Sequence, residues 1–365
     1  MPNAKRIGVL TSGGDCAGLN AVIRAVTYRA IRHYGWEVYG IKDGTMGFMS
    51  RPIEYVKLDL DVFTCDILRQ GGTMLGTTNK GDPFAFPMPD GTVRDRSKEV
   101  ADGYHELGLE AMVVVGGDGS MNIVRRLAQQ GNMRMIGVPK TIDNDVRHTE
   151  YAVGFTTAVN TAVDALDRLA PTAASHHRVL ILETMGRDAG HLALNAGIAG
   201  GADVILIPEI PYSLDGIVTK LRQVQQEEKR NHALMVVAEG CRTDTGEKLQ
   251  AVLTGGEMRN TGIGNYLSGR LNTALEGAET RVTVLGHVQR GGTPSARDRV
   301  IASAFGVHAV DLIAQGKFDR MVAWHDRGVV DVQLSSVVEG SRSVDPHGAI
   351  VHTARGLGIY VGDQE

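Results

Sequence analysis

Two short segments of this chain gather the residue types of a phosphoryl-transfer site. Gly116-Gly117-Asp118-Gly119-Ser120 closes one apolar run, and Pro139-Lys140-Thr141-Ile142-Asp143-Asn144-Asp145 closes the next. The small residues let backbone amides approach an anion, and the carboxylates Asp118, Asp143 and Asp145 with Lys140 supply a base, metal contacts and a counter-charge. Amides at the start of a helix attract phosphate, whereas Asp118 repels it unless a cation lies between them, so Asp118 reads as a Mg²⁺ contact. Ser120 is expected to cap a helix running on to Gln130. If the backbone stays extended beyond residue 138, the period of two puts Asp143 and Asp145 on one side. One carboxylate then accepts a proton from an attacking hydroxyl while its neighbour orients Mg²⁺. The plain alternatives are an ordinary strand-to-helix turn for the first segment and an Asx-rich turn for the second.

A further glycine-rich turn, Thr11-Ser12-Gly13-Gly14-Asp15-Cys16-Ala17-Gly18, follows the first apolar run and is suited either to cradling a polyphosphate or to serving as a tight turn. Cys16 is either a thiol of lowered pKa or a small filler, and the filler is favoured. Arg178, Arg187, Arg281 and Arg290 fall at the ends of strand-like runs, where a guanidinium can grip phosphate oxygens bidentately or form a surface ion pair. His287 and Glu239, also at strand ends, suit sugar hydroxyls or phosphate, with a structural histidine and a solvated terminus as alternatives.

Strand-like apolar runs at 7–10, 37–41, 112–115, 135–138, 179–182, 204–207, 234–238 and 282–285 must position these groups. Helical patterns at 19–32, 153–169, 214–228 and 296–314 alternate with them, which predicts an α/β fold of two doubly wound, Rossmann-like lobes with mainly parallel sheets. The chain has 365 residues, 42% of them hydrophobic, enough for a substantial core in two domains, with a first crossing near Gly154. A net charge of −4 gives no electrostatic case for nucleic acid or an anionic membrane as partner. Three scattered cysteines fit neither a disulfide framework nor a zinc cluster; with no apparent signal peptide or membrane-length run, a cytoplasmic location is expected.

Taken in order, these motifs resemble the bacterial-type 6-phosphofructokinases, nearly end to end. The resemblance implies that Asp143 is the base for the 1-hydroxyl of fructose 6-phosphate and that Asp118 and Asp145 organise Mg²⁺. It implies that Arg187 and Gly14 stabilise charge on the transferred phosphoryl group. Thr141, Met185, Gly186, Glu239, His287 and Arg290 match sugar-phosphate contacts, and Arg178 and Arg281 match arginines donated across a subunit interface to the 6-phosphate. Donor contacts would be Gly14, Lys80, Asp118, Gly119, Ser120, Arg126 and Lys140. A donor lobe of 1–153 plus 289–340 and a fructose 6-phosphate lobe of 154–288 plus 341–365 follow, with the donor-lobe sheet completed by a segment after His287. A homo-oligomer, commonly a tetramer with shared sites, also follows, and a lone monomer should be inactive.

The donor is the open point. Pyrophosphate users of the family typically carry Asp where Gly119 stands together with Lys at 140, and ATP users typically carry Gly at both, so Gly119 with Lys140 is a hybrid. An absent obstruction bears on specificity more directly than an added cation, which favours ATP over pyrophosphate. Lys42, Asn79 and Ile123 stand where an aromatic, an arginine and a glycine are usual at the adenine and phosphate contacts. Arg24 survives at the family's effector site, but Tyr28 and Ala170 replace arginines and Glu228 replaces a lysine, so weak or absent control by nucleotides and phosphoenolpyruvate is expected. NAD kinases and lipid kinases share Gly-Gly-Asp-Gly but lack the second segment. A noncatalytic sugar-phosphate-binding module would not need Asp143.

Overall fold

The computed structural model describes residues 4–79, 81–252, 258–260, 262–275 and 279–362. Its strands, in chain order, are β1 (Arg6–Thr11), β2 (Glu37–Ile41), β3 (Tyr55–Leu58), β4 (Phe86–Pro87), β5 (Val93–Arg94), β6 (Ala111–Gly116), β7 (Met135–Pro139) and β8 (Val179–Thr184). They continue with β9 (Val204–Leu206), β10 (Ala233–Ala238), β11 (Gln250–Val252), β12 (Met258–Asn260), β13 (Thr280–Val284), β14 (Arg320–His325) and β15 (Gly328–Gln333). The chain divides into two compact units, Met1–Thr157 with Arg290–Ser341, and Ala158–Gln289 with Arg342–Glu365.

The first unit is built on a seven-stranded sheet of order β15-β14-β7-β6-β1-β2-β3. The five inner strands run parallel, and β3 and β15 pair antiparallel at the two edges. Every residue of β6 and β7 is buried, as expected for parallel strands covered on both faces. The helix Asp118–Gln130 turns Met121, Val124 and Leu127 into the core with Leu10, Met112, Val114 and Met135. Burying a Val, Leu or Met side chain is worth about 1.5–3 kcal/mol, so these layers fix the sheet edge at which the polar segments emerge. The helices Leu19–Tyr34 and Ala296–Ala314 approach closely at Gly306, where an added Cβ would lie 2.7 Å from that of Ala25.

The second unit has an all-parallel sheet of order β13-β8-β10-β9, with every residue of β8 and β10 buried. Its helices include His191–Ala199, Leu214–Gln226 and Ile263–Ala274. The short antiparallel pair β11–β12 belongs to this unit, and β4–β5 to the first. The expected alternation of strand and helix is therefore found in both. Among the described residues no helix is long and apolar enough to cross a membrane.

Candidate functional site

In the first unit β1, β6 and β7 end side by side, because Thr11 pairs with Val115 and Gly116 with Pro139. The chain leaves this edge through further backbone bonds, Ser12 N–H to Val115 O at 2.9 Å and Lys140 N–H to Gly116 O at 3.0 Å. Lys140 is 4% exposed, and its Nζ donates to the Gly14 carbonyl. Gly13 adopts φ 83°, and a Cβ there would lie 3.1 Å from Ser120 Oγ and 3.3 Å from Lys140 Nζ. A Cβ on Gly14 would come within 2.7 Å of Arg290 Nη1, which also donates to Asp15 O at 3.2 Å. The structure thus brings Gly14, Ser120, Lys140 and Arg290 together around one glycine-rich turn. Two cations and a helix N-terminus at such a turn suit a phosphate chain.

Ser120 does not cap its helix. The helix begins two residues earlier, at Asp118, with Gly117 as N-cap and Asp118 in the first turn. Asp118 Oδ1 accepts from Gly119 N–H at 2.7 Å and Oδ2 from Ser341 Oγ–H at 2.9 Å. Among the described residues, and apart from its chain neighbours and its own helix backbone, no heavy atom would lie within 4 Å of a Cβ added at Gly119.

Asp143 and Asp145 are buried, at 3% and 6% exposure. The extended backbone that the period-of-two argument needed is not found, because Asn144 between them adopts φ 52°. The sequence reading gave Asn144 no role, yet its Oδ1 accepts from Ala152 N–H and its Nδ2 donates to Glu150 O, both at 3.0 Å. Asn is among the few residues that enter the left-handed region readily, which is the signal that was available. Thr141 Oγ1 accepts from Asp143 N–H at 3.0 Å and so helps fix the carboxylate's backbone.

Of the other donor candidates, Arg126 lays its guanidinium over the Phe84 ring, 3.7 Å from the centroid. Lys80 lies outside the described residues. Lys42 Nζ donates to Met74 O at 3.0 Å, and Ile123 packs on the core. Burial pushes the Cys16 thiol up to about 12, and its Sγ lies 3.3 Å from Val153 O, as a filler would. Tyr28 is flanked by the guanidinium groups of Arg24 and Arg32, 4.2 and 4.5 Å from its ring centroid.

In the second unit, β8 runs into Met185, Gly186 and Arg187. Met185 N–H donates to Gln289 Oε1 at 2.7 Å, and Arg187 N–H donates to Glu239 Oε1 at 3.1 Å, so the Met185–Arg187 turn and Glu239 at the end of β10 meet. His287 lies in the 3₁₀ turn Gly286–Arg290 and is exposed. Arg178 grips Glu279 through two bonds of 2.7 and 3.0 Å, and Arg281 pairs with the same carboxylate. Arg178 holds the Glu279 carboxyl below the usual range. Glu279 was missed in the sequence because only the pairing of β13 with β8, Thr280 opposite Val179, brings these three residues together. Glu228 accepts from Arg230 at 2.7 Å and Lys220 at 3.0 Å.

Residues 6–313 match the PFK family, described as Phosphofructokinase. The chain belongs to the phosphofructokinase family. It is 58% identical over 363 residues to ATP-dependent 6-phosphofructokinase 1 of Nostoc sp., and 56% identical over 363 residues to the protein of the same name from Synechocystis sp.. Each of these matches covers 100% of both chains. Among solved phosphofructokinases, that of Pichia pastoris in the T-state superposes with a TM-score of 0.78 at 30% identity, covering 93% of this chain and 36% of that longer chain. The pyrophosphate-dependent phosphofructokinase of Marinobacter aquaeolei has the same fold, with a TM-score of 0.78 at 22% identity over 98% of this chain and 89% of that one.

Proposed function

We propose that the chain is an ATP-dependent 6-phosphofructokinase, transferring the γ-phosphoryl group of ATP to the 1-hydroxyl of fructose 6-phosphate to give fructose 1,6-bisphosphate. The observation that carries the proposal is the convergence of Gly14, Ser120, Lys140 and Arg290 at the ends of β1, β6 and β7, with buried Asp143 three residues beyond Lys140. The open space at Gly119 and the full-length identity to two proteins named as ATP-dependent enzymes favour ATP. Lys140 keeps the second reading, a pyrophosphate-dependent enzyme, open, since a point charge serves either donor.

In this reading Asp143 takes the proton of the 1-hydroxyl as that oxygen attacks in line, and Thr141 holds the base through its backbone. Arg187, Lys140 and the Gly14 amide spread the developing charge. The 6-phosphate is bound by Arg178, Arg281 and Arg290, and Met185, Gly186, Glu239 and His287 contact the sugar. Glu279 must release Arg178 and Arg281 when the phosphate arrives, whichever subunit of the homo-oligomer supplies them. Asp118 and Asp145 offer hard carboxylate oxygens, the donor set Mg²⁺ prefers, and a Mg²⁺ ion held there supplies charge neutralisation on the donor. Residues 1–153 plus 289–340 form the donor lobe and 154–288 plus 341–365 the sugar-phosphate lobe. The active form is a cytoplasmic homo-oligomer, a tetramer with shared substrate sites.

The test is fructose 1,6-bisphosphate formation from fructose 6-phosphate and Mg²⁺ with ATP and pyrophosphate compared in parallel. Turnover with ATP is expected. Turnover with pyrophosphate alone would reverse the donor assignment, and none with either would overturn the function.

A further inference from the structure

Among the described residues of the first unit outside those assigned above, one carboxylate is completely buried: Asp298, at 0% exposure, in the first turn of the helix Ala296–Ala314. Its Oδ2 accepts from Ser295 Oγ–H at 3.2 Å, and Asp298 N–H donates to Ser295 Oγ at 3.1 Å, so Ser295 caps the helix by side chain, while Ser295 N–H donates to Thr157 Oγ1 at 3.0 Å. Capping the helix needs no more than that, yet this carboxylate has three more donors. Gly154 N–H reaches Oδ1 at 3.1 Å, Thr157 N–H reaches Oδ2 at 2.7 Å, and the Thr157 hydroxyl donates to Oδ2 as well. One buried charge thus faces the N-termini of two helices, Ala296–Ala314 and Phe155–His176.

The segment so anchored is the one that holds the Lys140 and Thr141 backbone. Val153 N–H donates to Pro139 O at 3.1 Å, Thr141 N–H donates to Val153 O at 3.2 Å, and Lys140 and Val153 form a parallel bridge. Three successive amides therefore have three different partners: Ala152 binds Asn144, Val153 binds Pro139, and Gly154 binds Asp298. Gly154, at φ 103°, sits so close to Cys16 that an added Cβ would lie 2.5 Å from Sγ, which leaves the strip little room to shift.

We propose that Asp298 is a positioning residue for phosphoryl transfer, acting through residues 152–154 to hold Lys140, Thr141 and Asp143 in place. The proposal rests on the kinase reading above. A carboxylate has only acceptors, matching a ring of donors, whereas an amide turns two of its hydrogens toward them. Asp298→Asn in the full-length protein is therefore expected to lower kcat at least tenfold while KM for fructose 6-phosphate stays within threefold. Ser295→Ala, which removes the helix cap but leaves the Gly154 and Thr157 contacts, is expected to keep kcat within twofold. Thr157→Val, which deletes the hydroxyl that donates to Asp298 Oδ2 and accepts from Ser295 N–H, is expected to lower kcat two- to fivefold and provides the same test if Asp298→Asn does not fold. Hydrogen–deuterium exchange of unliganded protein reads the clamp without turnover: peptides covering 139–145 should exchange at least tenfold faster in the substituted chain, and β6 should not. Unchanged exchange at 139–145, or an equal kcat loss in Ser295→Ala, overturns the proposal. An inactive wild type, with 139–145 still exchanging at least tenfold faster in Asp298→Asn, overturns only the kinase reading and leaves the clamp standing.

Discussion

Gly119→Asp separates the donor readings most directly. Position 119 lies in the first turn of the helix Asp118–Gln130, its φ is not positive, and among the described residues an added Cβ meets nothing within 4 Å beyond its own turn of helix. The fold should accept the change, and an acidic group near a helix N-terminus is worth about 0.3–1 kcal/mol in its favour. The cost falls on the donor. A carboxylate about 6 Å from one phosphate charge is repelled by roughly 2.8 kcal/mol at an effective dielectric of about 20, and screening by salt and solvent reduces this to about 1–2 kcal/mol. That corresponds to a loss of about five- to thirtyfold in kcat/KM for ATP. Pyrophosphate, which has no α-phosphate to pass this position, should lose less. The assay is kcat/KM for both donors at saturating fructose 6-phosphate and Mg²⁺, with thermal unfolding as a control. An unchanged Tm with kcat/KM for ATP within twofold of wild type would refute the reasoning, because position 119 would then not face the donor.

Asp143→Ser should lower kcat by about 10²- to 10⁴-fold while calorimetric binding of fructose 6-phosphate stays nearly intact; equal loss of both would deny Asp143 its role as base. Asn144→Ala should cost about 2–4 kcal/mol in chemical denaturation, the sum of a left-handed backbone and two hydrogen bonds, one buried and one part-buried. Asn144→Gly, which keeps the conformation, should cost less. Burial of His191 lowers its pKa to about 4, whereas the unfolded chain titrates near 6.5. The unfolded state therefore binds the extra proton first, so stability should fall as pH drops from about 6.5 to 4, by about 2–3 kcal/mol. His191→Gln should flatten that slope in urea titrations; parallel slopes would count against it.

The central strands were legible because parallel strands buried on both faces are written as unbroken apolar runs, as at β6 and β7. The helix Ala296–Ala314 agrees with its sequence pattern end to end, since Ser295 caps it by side chain. β14 and β15 were anticipated only as a segment after His287: β14 buries just three residues in a row, Met321–Ala323, and the edge strand β15 buries none fully, so neither carries the long apolar run of β6 or β7. Within the site, residue types were legible and backbone geometry was not. A single left-handed residue, Asn144, undid an argument from strand period, and Gly117 took the cap expected of Ser120. Glu279 and Asp298 depend on partners about 100 and 140 residues away, a separation at which a sequence gives no local pattern.

The order of strands in the larger sheet sets a timetable for the nascent chain. β7 ends at Pro139, but the neighbour that covers its outer edge, β14, begins at Arg320. At a translation rate of roughly 5–20 residues per second, the ribosome takes about 10–40 s to supply it. Throughout that interval a fully apolar strand presents a bare row of amides and carbonyls, the kind of template on which chains pair with one another. On a crowded polysome, the neighbouring copies are the nearest competitors for that edge.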